Sequence, residues 1–190
     1  MSGWFNFWEA RSSWLLLLVF FGSLVAFSFF FMVGDDTAWG KALAAGNGKV
    51  PEMLPGLPAA EPGRSLEAIW ENGAERDYVA WQIIDFPFAI LNVLVQTAAL
   101  SLFLKKADKF GSVLQLAMWL PVIYFVGEVF ENGFVVAFTL KALPGDGAYA
   151  LMQQIATTIK FGSSLGAGVL TVLSILGALF IDVGRLLKRS

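Results

Sequence analysis

Four stretches of this chain, roughly 14–33, 78–104, 112–140 and 151–181, each run on with at most two charged residues. Each is long enough to carry an α-helix across a hydrocarbon core about 30 Å thick, which takes about twenty residues. Backbone inside lipid must satisfy its own hydrogen bonds, and for segments of this length the helix is the solution. The fold class is therefore read as all-α: a polytopic four-helix bundle forming a single transmembrane domain over 1–190, with an extracytoplasmic loop at 34–77. Composition agrees. Residues of the AVILMFWYC set make up 57 % of the chain and charged residues 15 %, against roughly half and a quarter in soluble domains.

The alternative for the first stretch is a cleaved signal peptide. Its apolar core from Trp14 to Val33 is too long for that and is followed by no A-x-A-like site, so a retained helix is expected. The clustered Trp4, Phe5, Phe7 and Trp8 before it suit the headgroup zone. The loop after it is acidic. Its first half, with Gly46, Gly48, Pro51, Pro55, Gly56, Pro58 and Pro62, reads as irregular chain. Its second half reads as a short helix from about Ser65, with Leu66, Ile69 and Trp70 on one side, lying on the membrane surface or solvated. Orientation follows from basic residues near the span ends. Arg11, the Lys105–Lys109 cluster and the Arg185–Arg189 tail fall on one side of an even-span chain, so both termini are expected inside.

Two absences narrow the chemistry. There is no cysteine and no histidine. Disulfides, thiolate or histidine metal sites, a cysteine nucleophile and membrane enzymes built on His-rich metal centres are thereby excluded. No cofactor and no metal is implied. The net charge of −2 gives no reason to expect nucleic acid as a partner.

Against that background the polar residues inside the spans stand out. In the third span, Tyr124, Glu128, Glu131 and Asn132 share one face at helical spacing. In the second, Asn92 and Gln96 follow Asp85 on its stripe. In the fourth, Gln153, Thr157, Lys160, Ser164 and Thr171 keep the same spacing. With 1.5 Å rise per residue, Asp85, Glu128, Glu131 and Lys160 are expected at a common depth of roughly 10–18 Å below the outer surface. Pro87 and Pro121 lack the N–H that would occupy the carbonyls of Ile83 and Ala117, so a small polar cavity is expected nearby. An Asp, Lys or Arg at mid-span costs about 2.5–3.5 kcal/mol. Four such groups facing lipid would cost on the order of 10 kcal/mol, so they are expected to face one another or water. Lys160 neutralises one acid; the remaining negative charge calls for protons or another cation.

Three readings of that layer stand. It is a site for a cation, protons or an amphiphilic ligand; or a structural cluster that holds helices in register, as in an accessory subunit of a larger membrane complex; or the acid and base of a lipid- or sterol-modifying enzyme using Glu128, Glu131 or Asp85. The Gly162-Ser163-Ser164-Leu165-Gly166 match to GxxxG is expected to pack the fourth span within its own bundle, with dimerisation through Gly162 and Gly166 as the alternative. Membrane lipid is the expected surroundings, and a bacterial inner membrane the expected location.

Gly63-Arg64-Ser65-Leu66, Ile84-Asp85-Phe86-Pro87, Leu120-Pro121 followed by Glu128-Val129-Phe130-Glu131-Asn132, and Ile159-Lys160 together resemble a family of small uncharacterised bacterial four-helix membrane proteins. That family has aspartate as the first acid of the third span, where this chain has Glu128. The resemblance implies that Asp85, Glu131, Asn132 and Lys160 act as one unit. At the level of fold the chain is also similar to the sterol-isomerase and sigma-2-receptor superfamily, whose buried acids hold a cationic amine or a carbocation-like intermediate.

Overall fold

The computed structural model describes residues 2–46 and 61–188. Gly48, Pro51, Pro55, Gly56 and Pro58, expected in irregular chain, lie outside the described residues, as do the side chains of Gly63, Arg64 and Ser65. Helices α1 (Ser2–Arg11), α2 (Trp14–Phe31), α3 (Ala38–Ala45) and α4 (Glu61–Glu71) precede α5 (Glu75–Lys106). A 3₁₀ segment (Val113–Trp119) then leads into α6 (Leu120–Thr139), and α7 (Gly147–Leu187) closes the order. The described residues contain no strand. Among the described residues, four helical segments are long and apolar enough to cross a membrane: α2, α5, the 3₁₀ segment with α6, and α7.

Their burial sorts them into roles. More than half of the apolar window of α5 (56 %) is buried, against 6 % for α2. Helix α5 is therefore the central element, contacting α2, α3, α6 and α7, while α2 leans on it with one side and exposes the rest. A helix apolar on all sides is what an element surrounded by lipid requires.

The chain turns between α1 and α2 at Ser13. Its backbone is extended (φ −157°) and its hydroxyl accepts from the Leu16 N–H, the side-chain cap that starts a helix. Of the aromatics in α1, Phe5 and Trp8 turn inward onto Leu17, Leu102, Met118 and their neighbours, while Phe7 stays exposed.

The loop holds more structure than its glycines and prolines imply. Helix α3 forms because the Thr37 hydroxyl accepts from the Gly40 N–H and caps it. Helix α4 begins at Glu61 and is not free in solvent on its apolar side. Leu66 and Ile69 are fully buried with Ala42, Tyr78, Trp81, Val135 and Phe138. The Trp70 indole donates to the Thr139 carbonyl at 3.0 Å, and the Asn72 amide donates to the Ala45 carbonyl at 2.9 Å. Helices α3 and α4 thus form a lid on one end of α5 and α6. The helix expected from about Ser65 thus starts earlier, and its apolar side, with Leu66 and Ile69, buries against protein.

Pro121 also differs from expectation. It falls in the first turn of α6, where its N–H is not needed. The Ala117 carbonyl accepts from the Leu120 N–H instead, so no carbonyl is freed there. Pro87 is internal to α5 but exposed together with Ile83. Two residues from Asp85 is about 200° around a helix. Any backbone group freed by Pro87 therefore lies on the outer side of α5, away from the acids.

Candidate functional site

The site is built where α6 crosses α7. The close approach is made by Gly127: a Cβ there would lie 3.0 Å from Lys160 N, 3.1 Å from Lys160 Cα and 3.2 Å from the Ala156 carbonyl oxygen. With the two backbones in contact, the residues beside Gly127 on α6 meet the polar face of α7. Gly162 has nothing within 4 Å of such a Cβ, and Gly166 meets only a Leu120 methyl at 3.7 Å. The GxxxG match therefore does not pack α7 within the chain, and that expectation is corrected. Small residues serve where another backbone arrives, and here that residue is Gly127.

Around this crossing the structure brings together most of the residues singled out from sequence. Lys160 Nζ donates to Glu131 Oε2 at 2.5 Å and lies 2.9 Å from Glu128 Oε1. The Thr157 hydroxyl donates to Glu131 Oε1, and Gln153 Nε2 donates to Thr157 Oγ1 at 2.8 Å. From α5, Asp85 accepts from Asn132 Nδ2 at 3.3 Å and also faces Glu128. Tyr124, one turn before Glu128, is buried on the same side. Glu128, Glu131, Asn132, Gln153 and Thr157 are all 1 % exposed or less. Asp85, Glu128, Glu131 and Lys160 therefore share one height and point toward one another.

Two expected members stand apart. Asn92 is half-buried and takes no part in these hydrogen bonds. Ser164 lines an outward groove with Phe161, Leu165 and Val169. Its neighbour Ser163 is the buried one, and its hydroxyl is spent on the Ile159 carbonyl at 2.6 Å. One turn before Asp85, Gln82 is buried at 1 % exposure, a position the Asp85 stripe read from sequence did not include. Gly127 was missed as well, although its place beside the acids on an apolar helix was a signal.

The electrostatics are unbalanced. Three carboxyl groups share one ammonium, and the one Asp–Glu contact in the set brings like groups together. Glu128 Oε1 is met only by the Lys160 ammonium that Glu131 also takes, while Glu128 Oε2, Asn132 Oδ1 and Gln153 Oε1 find no hydrogen-bond donor among the described residues. Every one of these unpartnered atoms is an acceptor. A buried acceptor without a donor costs about 1–3 kcal/mol, so the arrangement favours any species that brings hydrogens or positive charge. Among the described residues no group of three His, Cys, Asp or Glu side chains is placed to hold a metal ion.

The lid packs on the stretches of α5 and α6 that adjoin this cluster. Ile84, next to Asp85, and Phe134, two residues from Asn132, pack against the lid core of Leu66, Ile69 and Tyr78. Comparison with family models, with curated proteins and with solved structures gives no match to this chain.

Proposed function

We propose that this is an integral membrane protein whose interior holds a proton-exchanging acid cluster, with Asp85 and Glu128 sharing a proton and Lys160 neutralising Glu131. The observation that carries it is the facing pair Asp85 and Glu128, with Glu128 Oε2 lacking any donor and Lys160 divided between Glu128 Oε1 and Glu131, so that a single lysine serves three acids. Two ionised carboxylates in contact repel, and one proton between them turns the repulsion into a hydrogen bond. Gln153, Thr157 and Asn132 orient the carboxyls, and Tyr124 closes the side beyond Glu128. On this reading the four apolar helices form a bundle in a bacterial inner membrane with both termini inside. The gathering of Ser12, Lys105, Lys106 and Arg185 at one end supports that orientation.

The test is infrared spectroscopy of the reconstituted protein. A carbonyl stretch of a protonated carboxylic acid is expected at neutral pH, shifted in deuterated buffer and lost in both Asp85→Asn and Glu128→Gln. Fully ionised carboxylates in the wild type would overturn the proposal.

A second reading has one observation in its favour. An apolar groove lined by Val126, Gly127, Phe130, Ile155 and Ile159 runs along the α6–α7 seam, with the Lys160 backbone directly behind Gly127. No acid among the described residues lines that groove, so an amphiphilic amine lying there would reach Glu128 only where the two helices part beside Gly127. It is distinguished by native mass spectrometry, in which a bound amine would appear and then vanish with Glu128→Gln.

A further inference from the structure

At the opposite end of the molecule from the lid, a pocket is lined by Ser12, Ser13, Trp14, Leu102, Lys105, Lys106 and Arg185. Three segments far apart in sequence build it: the α1–α2 turn, the last turn of α5 and the last turns of α7. Its cations are held in place by neutral or shared acceptors. Lys105 Nζ donates to the Ser12 carbonyl at 3.3 Å, and an Arg185 guanidinium N–H donates to the Lys106 carbonyl at 3.0 Å. Lys106 Nζ is paired with Asp182 at 2.6 and 2.7 Å, and the Trp14 indole donates to the same carboxylate at 2.8 Å.

Three cations thus converge with one carboxylate between them. Among the described residues neither Lys105 nor Arg185 makes an ion pair. Lys105 retains two N–H donors and Arg185 four, counted from the donor inventory of the two side chains. The rest of the wall is amphipathic. Leu102 forms an apolar floor, Trp14 stands at the rim, and the exposed Leu15 and Leu18 of α2 follow immediately. Positive charge at the rim of an apolar helix pair, with a tryptophan at the border, fits a ligand with an anionic head and an apolar body.

We propose that this pocket binds an anionic phosphate group, supplied by the headgroup of an acidic phospholipid, with Lys105 and Arg185 as the phosphate ligands and the acyl chains lying along α2. Lys106 is committed to Asp182 and acts as the post that positions the other two. The guanidinium offers paired donors matched to phosphate oxygens, and the lysine adds a point charge.

The test uses the full chain in detergent, examined by native mass spectrometry against phosphatidylglycerol, phosphatidylcholine and inorganic phosphate in turn. Retention of phosphatidylglycerol over phosphatidylcholine is expected. The double substitution Lys105→Gln/Arg185→Gln should weaken it about thirty-fold, from the roughly fivefold contribution of each basic residue near an anionic lipid. Lys41→Gln/Lys141→Gln, which touches none of the pocket, should leave it unchanged. Retention of inorganic phosphate with the same sensitivity to the double substitution would support the phosphate site and assign its source to solution. Equal retention of both lipids, or a double variant that melts like the wild type and still holds phosphatidylglycerol, would overturn the proposal.

Discussion

Lys160 and Lys106 are both paired with carboxylates, and they stand about 33 Å from Asp182 to Lys160 along α7 at 1.5 Å per residue. Around Lys160 the surplus is negative, the acids are buried, and a lid of α3 and α4 closes the end. Around Lys106 the surplus is positive, the side chains of the pair remain partly exposed (17 % and 31 %), and a pocket opens outward. The same chemical pair therefore has different work at the two ends. In a buried cluster an unbalanced charge must recruit a counter-charge or a proton, because solvent is not there to screen it. In an open pocket the imbalance is tolerable and becomes an attraction for whatever anion the surroundings supply.

The contrast is sharpest when each lysine is removed. Lys160→Met leaves three acids without a cation and is expected to destabilise the protein by about 3–5 kcal/mol. Lys106→Met should cost under about 1 kcal/mol. Reversible unfolding in mixed micelles measures both, and equal losses would break the comparison. The Lys160→Met deficit should also shrink on acidification, since a carboxyl that holds a proton no longer needs the ammonium.

The next effect concerns closure. Ile69→Ala opens a cavity in the lid core and is expected to cost about 2–5 kcal/mol, with faster hydrogen exchange at the α6 amides beneath. Leu15→Ala, at a position 73 % exposed beside the basic pocket, should be nearly silent. A silent Ile69→Ala would mean that α4 is not part of the folded unit.

Much of the acid end was legible because two rules reinforce each other. Helical spacing placed Tyr124, Glu128, Glu131 and Asn132 on one face, and the cost of charge in lipid required that face to meet Lys160. Spacing alone was less reliable on α7. It put Ser164 with Lys160, but the face buried by α7 shifts toward Ser163 and Ala167 along its length, and only the crossing with α6 and α5 fixes where. The lid was legible only in part: the helix with Leu66, Ile69 and Trp70 on one side was expected, but α3 and the docking of both helices were not. Its helices are short, and α3 rests on a threonine cap and on burial against residues distant in sequence, which no local pattern announces. The GxxxG match failed because small residues permit close approach without specifying which helix arrives. At the basic end, the lysines and arginine were read only as a vote on orientation; that they converge with Ser12 and Trp14 needed the turn at Ser13.

The seam itself gives a smaller effect. Gly127→Ala places a methyl 3.0–3.2 Å from the α7 backbone, so the helices must part, at about 1–3 kcal/mol. Gly162→Ala meets open space and gains helix propensity, up to about 1 kcal/mol in the stabilising direction. If both behaved alike, the α6–α7 contact would not be what assembles the acids.

The smallest effect separates the two ends by sign. Beyond the apolar part of α7, the hydrogen bonds from Lys106 and then from the Trp14 indole hold the Asp182 carboxyl below its ordinary range. A carboxyl whose value is depressed by folding contributes stability above its unfolded value, and loses it as pH falls through the lower folded one. Asp182→Asn should therefore cost less than about 1 kcal/mol at neutral pH, and the difference from wild type should fade below about pH 4, where the unfolded carboxyl takes up its proton. Lys160→Met recovers toward wild type with acid because its surplus acids become neutral; the Lys106–Asp182 pair weakens with acid because its single carboxylate does. Following both variants through one acid titration thus tests burial against exposure in a single chain, and a Lys160→Met deficit that deepened on acidification would show that the acid end carries no surplus charge.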